Sequence, residues 1–287
     1  MATTKPKQST GVNTYDEQFA AMAAQSAVAA AAISGGSARI TLKGALKVGD
    51  TEHRDGVPVV VLNDLLVNAY YTSAFDPDNP TSPECYAYAR FNPETRKVEG
   101  IDTASGTAEV GPHKDCASPQ CESCAKCKWN QFGTATRDGK PARGKACQNV
   151  MHIAALPVGT CDRDGKAKLP KKLDDIIGIE VHTLKLAPSS TKLYTSYVGL
   201  VASVARRPLV GVFSRLSREN HDVYQHLARW DMIGNVPNEF VPYLLEKADE
   251  ARTLLEQPFP TVLERPAAPS KGSGGKTKSS STRRSKM

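Results

Sequence analysis

Val57-Pro-Val-Val-Val-Leu-Asn-Asp-Leu-Leu-Val-Asn-Ala-Tyr-Tyr71 divides into two readings. Val57 to Leu62 is a short apolar run, broken by Pro58 and rich in β-branched residues, and reads as a strand. Asn63 to Tyr71 reads as one or two helical turns. Upstream, Ile40, Leu42, Gly44, Leu46 and Val48 alternate with Thr41, Lys43, Ala45 and Lys47, the period of a strand with one covered face. Downstream, three prolines and intervening Asp and Asn residues make Phe75 to Pro83 a loop.

Further along, Cys147 to Leu156 is apolar enough for a strand, and Ile177, Ile179 and Val181 alternate in another. Pro188-Ser189-Ser190 opens a helix, with Leu193, Tyr197, Leu200, Val201 and Val204 on one face and Pro208 beyond its end. Leu209–Ser214 and Tyr224–Ile233 read as strands. Pro242 opens a second helix through Glu256, with Leu244, Leu245, Ala248 and Leu255 inward. Short strands outnumber helices, so the expected class is α+β, mainly β. The expected architecture is an OB-like barrel or curved antiparallel sheet, with an inserted structural zinc module and flanking helices. No Gly-x-Gly-x-x-Gly follows a strand, which argues against a dinucleotide fold. The expected organisation is a flexible arm over 1–36, a core over 37–262 with the zinc module at 113–149, and a disordered basic tail over 263–287. In the arm an alanine-dominated helix, stopped by Gly35-Gly36, is either weakly docked or contacts a neighbouring subunit.

The net charge of +7 is concentrated at one end. Lys271, Lys276, Lys278, Arg283, Arg284 and Lys286 lie in a stretch without acids, which leaves residues 1–270 at +1. The body therefore needs a local groove, rather than bulk charge, to bind a polyanion. No apolar run reaches the roughly 18 residues of a membrane span, and no export signal precedes the body, so a cytoplasmic setting without membrane contact is expected.

Five of the seven cysteines fall in Cys116-x4-Cys121-x2-Cys124-x2-Cys127-x19-Cys147. In a reducing compartment such clustering points to metal more than to disulfides, with an iron–sulfur cluster or unligated thiols as the alternatives. A Cys-x2-Cys turn presents two thiolates to one side of a tetrahedral Zn2+, and Cys124-Ala-Lys-Cys127 is such a turn. Cys147 returns after a polar hairpin whose Asp138-Gly139 pair suits a tight turn. Cys116, Cys121, Cys85 and His113 all qualify as the fourth ligand, with Cys116 and Cys121 ranked first on proximity. Four thiolates leave no position for an activated water, so the zinc is read as structural. Deaminase, metalloprotease, serine-hydrolase and phosphate-loop motifs are missing, and no catalysis is expected.

Lys126, Lys128, Trp129, Phe132, Arg137, Lys140, Arg143 and Lys145 surround the module. Cations interleaved with aromatic rings suit single-stranded nucleic acid, where phosphates meet the cations and bases stack on rings. Alternatively, Trp129 and Phe132 roof the zinc site and the charges are solvated. Tyr70, Tyr71, Phe75, Tyr86, Tyr88 and Phe91 form a second aromatic stretch, about half of it expected in the core.

Cys124-x2-Cys127-x2-Asn130-Gln131-Phe132-Gly133, followed by Gly144-Lys145-Ala146-Cys147-Gln148-Asn149, resembles a family of tailed-bacteriophage proteins. That family comprises zinc-containing single-stranded DNA-binding or replication accessory proteins. The resemblance extends over about residues 38–235, through Phe75 to Pro80, Pro83 to Ala87, Ala187 to Ser190 and Val212 to Ser217. It implies Cys124, Cys127 and Cys147 as ligands and makes Cys85 a stronger fourth candidate. It further implies a protein of the host cytoplasm acting in phage DNA replication or recombination, with single-stranded DNA and replication proteins as partners. Lys128 replaces a proline common after the second cysteine, and the tail is basic where many phage single-strand binders end acidic, so this tail is expected to add DNA affinity. Two alternatives stand beside that reading: a zinc-stabilised protein binding host replication or transcription machinery, and a nuclease whose carboxylates converge only on folding.

Overall fold

Two hairpins leave the same edge of one long strand, and that fork organises the fold. In a computed structural model, which describes residues 38–72, 82–137, 139–222 and 224–259, the long strand is β4, Val57–Tyr70. It runs through both halves of the stretch read as strand then helix. β9, Cys147–Pro157, pairs along almost its full length. On its other edge, β13 (Val212–His221) takes Val57–Val59 and β5 (Cys85–Asn92) takes Leu66–Tyr70. β14 (Gln225–Asn235) continues from β13, and β6 (Lys97–Ile101) from β5.

Beyond β9 the sheet adds β12 (His182–Leu186), then β1 (Arg39–Thr41), β2 (Lys47–Val48) and β3 (Thr51–Glu52). The β1–β12 pair is parallel and the rest are antiparallel, so this is a mixed ten-stranded sheet. Two small hairpins lie outside it: β7 (Thr136–Arg137) with β8 (Lys140–Pro141), and β10 (Thr160–Cys161) with β11 (Ala167–Lys168). Helix α1, Pro188–Val204, covers one face against β9 and β14. Helix α2, Val241–Leu255, covers the other against β4 and β9. The class is α+β, mainly β.

A bulge between Val61 and Asn63 changes the parity of β4. Before it, Val57, Val59 and Val61 pack with α1; after it, Leu65, Val67 and Ala69 pack with α2. One inserted residue exchanges the faces of every residue after it. The alternation is therefore broken in the sequence, which is why Asn63–Tyr71 imitates a helical pattern. The bulge also coincides with the change of partner from β13 to β5.

Other elements differ in detail from expectation. Ile177–Val181 is no strand: Gly178 has φ +82°, which breaks an extended run, and Ile177 is exposed. Helix α1 buries Ser190, Tyr194, Tyr197 and Val201, while Leu200 and Val204 are exposed. The two tyrosines face inward because the sheet supplies hydroxyl partners. Tyr194 donates to Asp64 Oδ2 at 2.7 Å, and Tyr197 shares a 2.5 Å bond with Ser214. Helix α2 buries Leu244, Ala251 and Leu255, leaving Leu245 exposed. The expected arm over 1–36, the basic tail over 263–287, and most of the Phe75–Pro83 loop lie outside the described residues. Among the described residues no helix is long and apolar enough to cross a membrane.

Candidate metal centre and nucleic-acid loop

The end of the fork sets the site. Tyr70, the last residue of β4, pairs with Cys85 of β5 on one side and with Cys147 of β9 on the other. Directly opposed residues on neighbouring strands share a face, so the sheet offers a thiol to each side of Tyr70. The loop after β6 closes over this end. Gly111 allows it: a Cβ there would lie 2.8 Å from the Glu122 carbonyl oxygen. Cys124 N–H donates to Val110 O at 2.9 Å, tying the cysteine loop to that strap.

Cys121, Cys124, Cys127 and Cys147, together with Cys85, line one cavity of about 10 Å3, roofed by Gln120 and Asn130 and floored by Asn68 and Tyr70. That volume suits a single water-sized or ion-sized body. The Cys121 and Cys127 thiols are hydrogen-bonded to each other, and Asn68 bonds the Cys124 sulfur. Asn149 donates in turn to Asn68 Oδ1 and fixes that amide. Burial, then the neighbouring sulfurs, pushes Cys121 up to about 12 and Cys147 up to about 12; burial raises Cys124 as well. So many adjacent sulfurs ionise together only if a cation compensates them, and a divalent metal is the cation that thiolates select. Among the described residues no three Cys, His, Asp or Glu side chains stand in formed metal-binding geometry. Thiols gathered at one cavity are nevertheless the donor type that zinc takes.

The other candidate ligands lie elsewhere. Cys116 is buried outside this lining, pairs with Cys85 through a side-chain hydrogen bond and contacts Glu84 O at 3.5 Å. The bond to Cys85 holds the Cys116 thiol below its ordinary value and raises Cys85. His113 is 1% exposed and stacks on Tyr86. Its Nδ1 bonds Tyr86 Oη at 3.1 Å and accepts from Asp115 N–H at 3.1 Å. Its Nε2 is buried without a hydrogen-bond partner, 4.0 Å from Asp102 Oδ2. Burial lowers its pKa, opposed by Asp115 and Asp102.

The residues after Cys127 explain the Asn-Gln-Phe-Gly sequence. Asn130 Nδ2 donates to Cys124 O at 2.8 Å, and Gln131 Nε2 to Ala125 O at 3.1 Å, so both amides hold the Cys-x2-Cys turn. Gly133 has φ +85° and donates to Gly144 O at 2.9 Å. Thr134 Oγ1 accepts from Ala146 N–H at 3.0 Å, joining the loop to the approach of Cys147. β7 and β8 form the expected hairpin, with Gly139 at φ +74°. The sequence marks these amides only as part of the motif around Cys127. Their signal was spacing, since each stands within four residues of a cysteine.

Trp129 and Phe132 have different fates. Trp129 is half-buried, stacks on Tyr70 and donates from Nε1 to Gln120 Oε1 at 3.2 Å. It roofs the site. Phe132 is 80% exposed, and Lys145 Nζ stands 5.2 Å from its ring centroid while also donating to Asn130 Oδ1 at 3.2 Å. Lys128 Nζ is 4.6 Å from the Trp129 ring centroid. Lys126, Lys128, Lys140 and Arg143 are exposed, Lys145 is half-buried, and Arg137 lies on β7. Lys126 lines a separate cleft of about 430 Å3 with Glu109 and Glu122, so its surroundings are mixed in sign.

No family model, curated protein or solved structure matches the chain.

Proposed function

We propose that this protein binds single-stranded DNA without catalysis, and that a structural Zn2+ held by Cys121, Cys124, Cys127 and Cys147 fixes the contacting loop. The observation that carries the reading is Phe132. A phenyl ring this exposed has no packing role, and here it stands on a loop held by at least five side-chain and backbone bonds, with an ammonium group beside it. A ring and a cation on a fixed mount are what an unpaired base and its phosphate require, and a base stacked on such a ring contributes about 1–3 kcal/mol. Zinc would supply a tetrahedral cross-link between the loop and β9, with no open position for substrate. A setting in phage DNA replication or recombination, in the host cytoplasm with replication proteins as partners, follows from the sequence resemblance, as does an OB-like description of the curved sheet.

Titration of fluorescently labelled oligo-dT at low salt tests the reading. Binding that weakens as salt rises is expected, through counterion release; no detectable binding at low salt overturns it.

One observation favours a second reading, a zinc-stabilised protein that docks on replication or transcription machinery. Phe91 and Val98 form a directly paired, exposed apolar couple on the β5–β6 hairpin, at 57% and 45% exposure. Capture of such a partner that survives nuclease treatment, in a protein that ignores oligo-dT, would favour it.

A further inference from the structure

We propose that Cys85 and Cys116 form a peroxide-sensitive dithiol, distinct from the proposed zinc ligands, that closes to a disulfide and ties β5 to the entry of the cysteine loop. The inference concerns two thiols that the proposed zinc site does not use, and it does not depend on DNA binding.

Backbone pairing sets the two sulfurs side by side. Cys85 opens β5, and Cys116 lies in the loop after β6, where its N–H donates to His113 O at 3.0 Å. His113 N–H in turn donates to Tyr86 O at 2.8 Å, so the strap is laced to β5 one residue beyond Cys85. The side chains of Cys85 and Cys116 are hydrogen-bonded to each other, and both are free thiols at 8% exposure. Amides orient the sulfurs: Tyr86 N–H and Ser118 N–H donate to Cys116, and Gln120 N–H donates to Cys85. From that contact a disulfide requires the sulfurs to close to about 2.05 Å. A residue at a strand end and one in an irregular loop have the freedom for such a shift.

The remaining cysteines compete poorly. A thiolate whose electron pair is engaged by Zn2+ is a weaker nucleophile, so the four proposed ligands are shielded while the metal is bound. Cys161 lies on the β10–β11 hairpin, outside the main sheet. Cys116 is the attacking sulfur: the amide donors favour its thiolate, and exposed Asp115 and Ala117 flank it, which brings it within reach of a small oxidant. With hydrogen peroxide, the Cys116 sulfur takes one oxygen as the O–O bond breaks, becoming a sulfenic acid and releasing water. The Cys85 sulfur then displaces that hydroxyl as a second water, and the S–S bond forms. The two thiols lose two electrons and two protons, and both peroxide oxygens leave as water. The product closes a loop of roughly 30 residues and constrains the unfolded chain. It would fasten the strap to the sheet independently of the metal.

The test uses the full chain purified with zinc, as wild type, Cys85→Ser and Cys116→Ser. Each is treated with equimolar hydrogen peroxide, blocked with iodoacetamide and mapped by non-reducing peptide mass spectrometry, while a chromogenic chelator reports zinc release. Wild type should yield one linked peptide pair, Cys85 to Cys116, reversed by dithiothreitol, with zinc retained. Its melting temperature should rise by roughly 5–10 °C. Cys85→Ser should instead accumulate a sulfenic acid on Cys116 that dimedone traps. Cys85 and Cys116 still open to alkylation after treatment, or linked first to other cysteines, overturn the inference and leave the proposed function standing. Zinc lost from untreated Cys85→Ser or Cys116→Ser also overturns it, by making that residue a ligand. If either variant fails to fold, the wild-type map decides alone. A wild type that holds no zinc yet links Cys85 to Cys116 would remove the metal centre from the proposed function and keep the dithiol.

Discussion

Trp129 lies flat on Tyr70, with ring centroids 4.9 Å apart and planes 13° from parallel. Tyr70 is also the residue flanked by Cys85 and Cys147. The stack therefore presses the cysteine loop onto the sheet at the point where the sheet's own thiols begin. An indole used in this way is a clamp and not a platform for bases.

Phe132→Ala and Trp129→Ala should consequently separate. Phe132→Ala is expected to leave thermal stability and zinc content unchanged while weakening oligo-dT binding about 5- to 150-fold, the equivalent of one lost stack. Trp129→Ala should lower zinc retention under mild chelation and lower the melting temperature, with DNA affinity falling as a consequence. Equal losses of zinc in the two variants would contradict the division of roles.

The close approach of the strap to the cysteine loop gives a second test. Gly111→Ala drives a methyl group into the Glu122 carbonyl oxygen, 2.8 Å away, where backbone rather than a flexible side chain must yield. The expected cost is about 1–3 kcal/mol, with faster exchange of the amide of Cys124. Unchanged stability would mean that the loop is not held against the strap.

Stability should also depend on pH through His152. Burial, then Lys185 and Arg39, lowers its folded pKa from 6.5 to about 4. Protons therefore favour the unfolded chain between these values. The contribution is present above pH 6.5, declines as pH falls, and is lost below about 4. It amounts to at most about 3 kcal/mol. Replacement by a residue that does not titrate, His152→Gln, should flatten the urea-unfolding profile over that window; an unchanged slope would place the pH dependence elsewhere.

Asp64 acts in the opposite sense. It follows the bulge, and burial raises its pKa despite the Tyr194 hydroxyl and Arg90. The folded state then binds the extra proton, so this group favours folding at low pH and ceases to do so as pH rises through its folded value. Asp64→Asn keeps a side chain able to bond Tyr194 and removes the charge. Wild type should lose stability relative to this variant as pH rises from 4 to 7, measured by chemical denaturation. A constant difference would contradict the assignment.

The legible and illegible parts of the chain divide along physical lines. Local chemistry was readable: the Cys-x2-Cys turn, the Asp-Gly hairpin before Cys147, and strand β9 follow from neighbours in sequence. The bulge hid the second half of β4, because a single inserted residue destroys the period on which a strand is recognised. The fourth thiol was narrowed to candidates by proximity, but only the fold separates Cys121 in the cavity lining from Cys116 against Cys85. The juxtaposition of His152, Lys185 and Arg39 is hidden in the sequence for a related reason. Alternation marks Arg39 and Lys185 as facing away from a core, yet which strands become neighbours is decided by long-range pairing.

The most direct measurement is oligo-dT affinity at fixed salt before and after zinc is withdrawn by a strong chelator under reducing conditions, with far-ultraviolet circular dichroism recorded alongside. One zinc per chain is expected at the outset. Its removal should leave the sheet signal in place and weaken binding at least about tenfold, with recovery on restoring Zn2+. Unchanged affinity in the zinc-free protein would contradict that expectation.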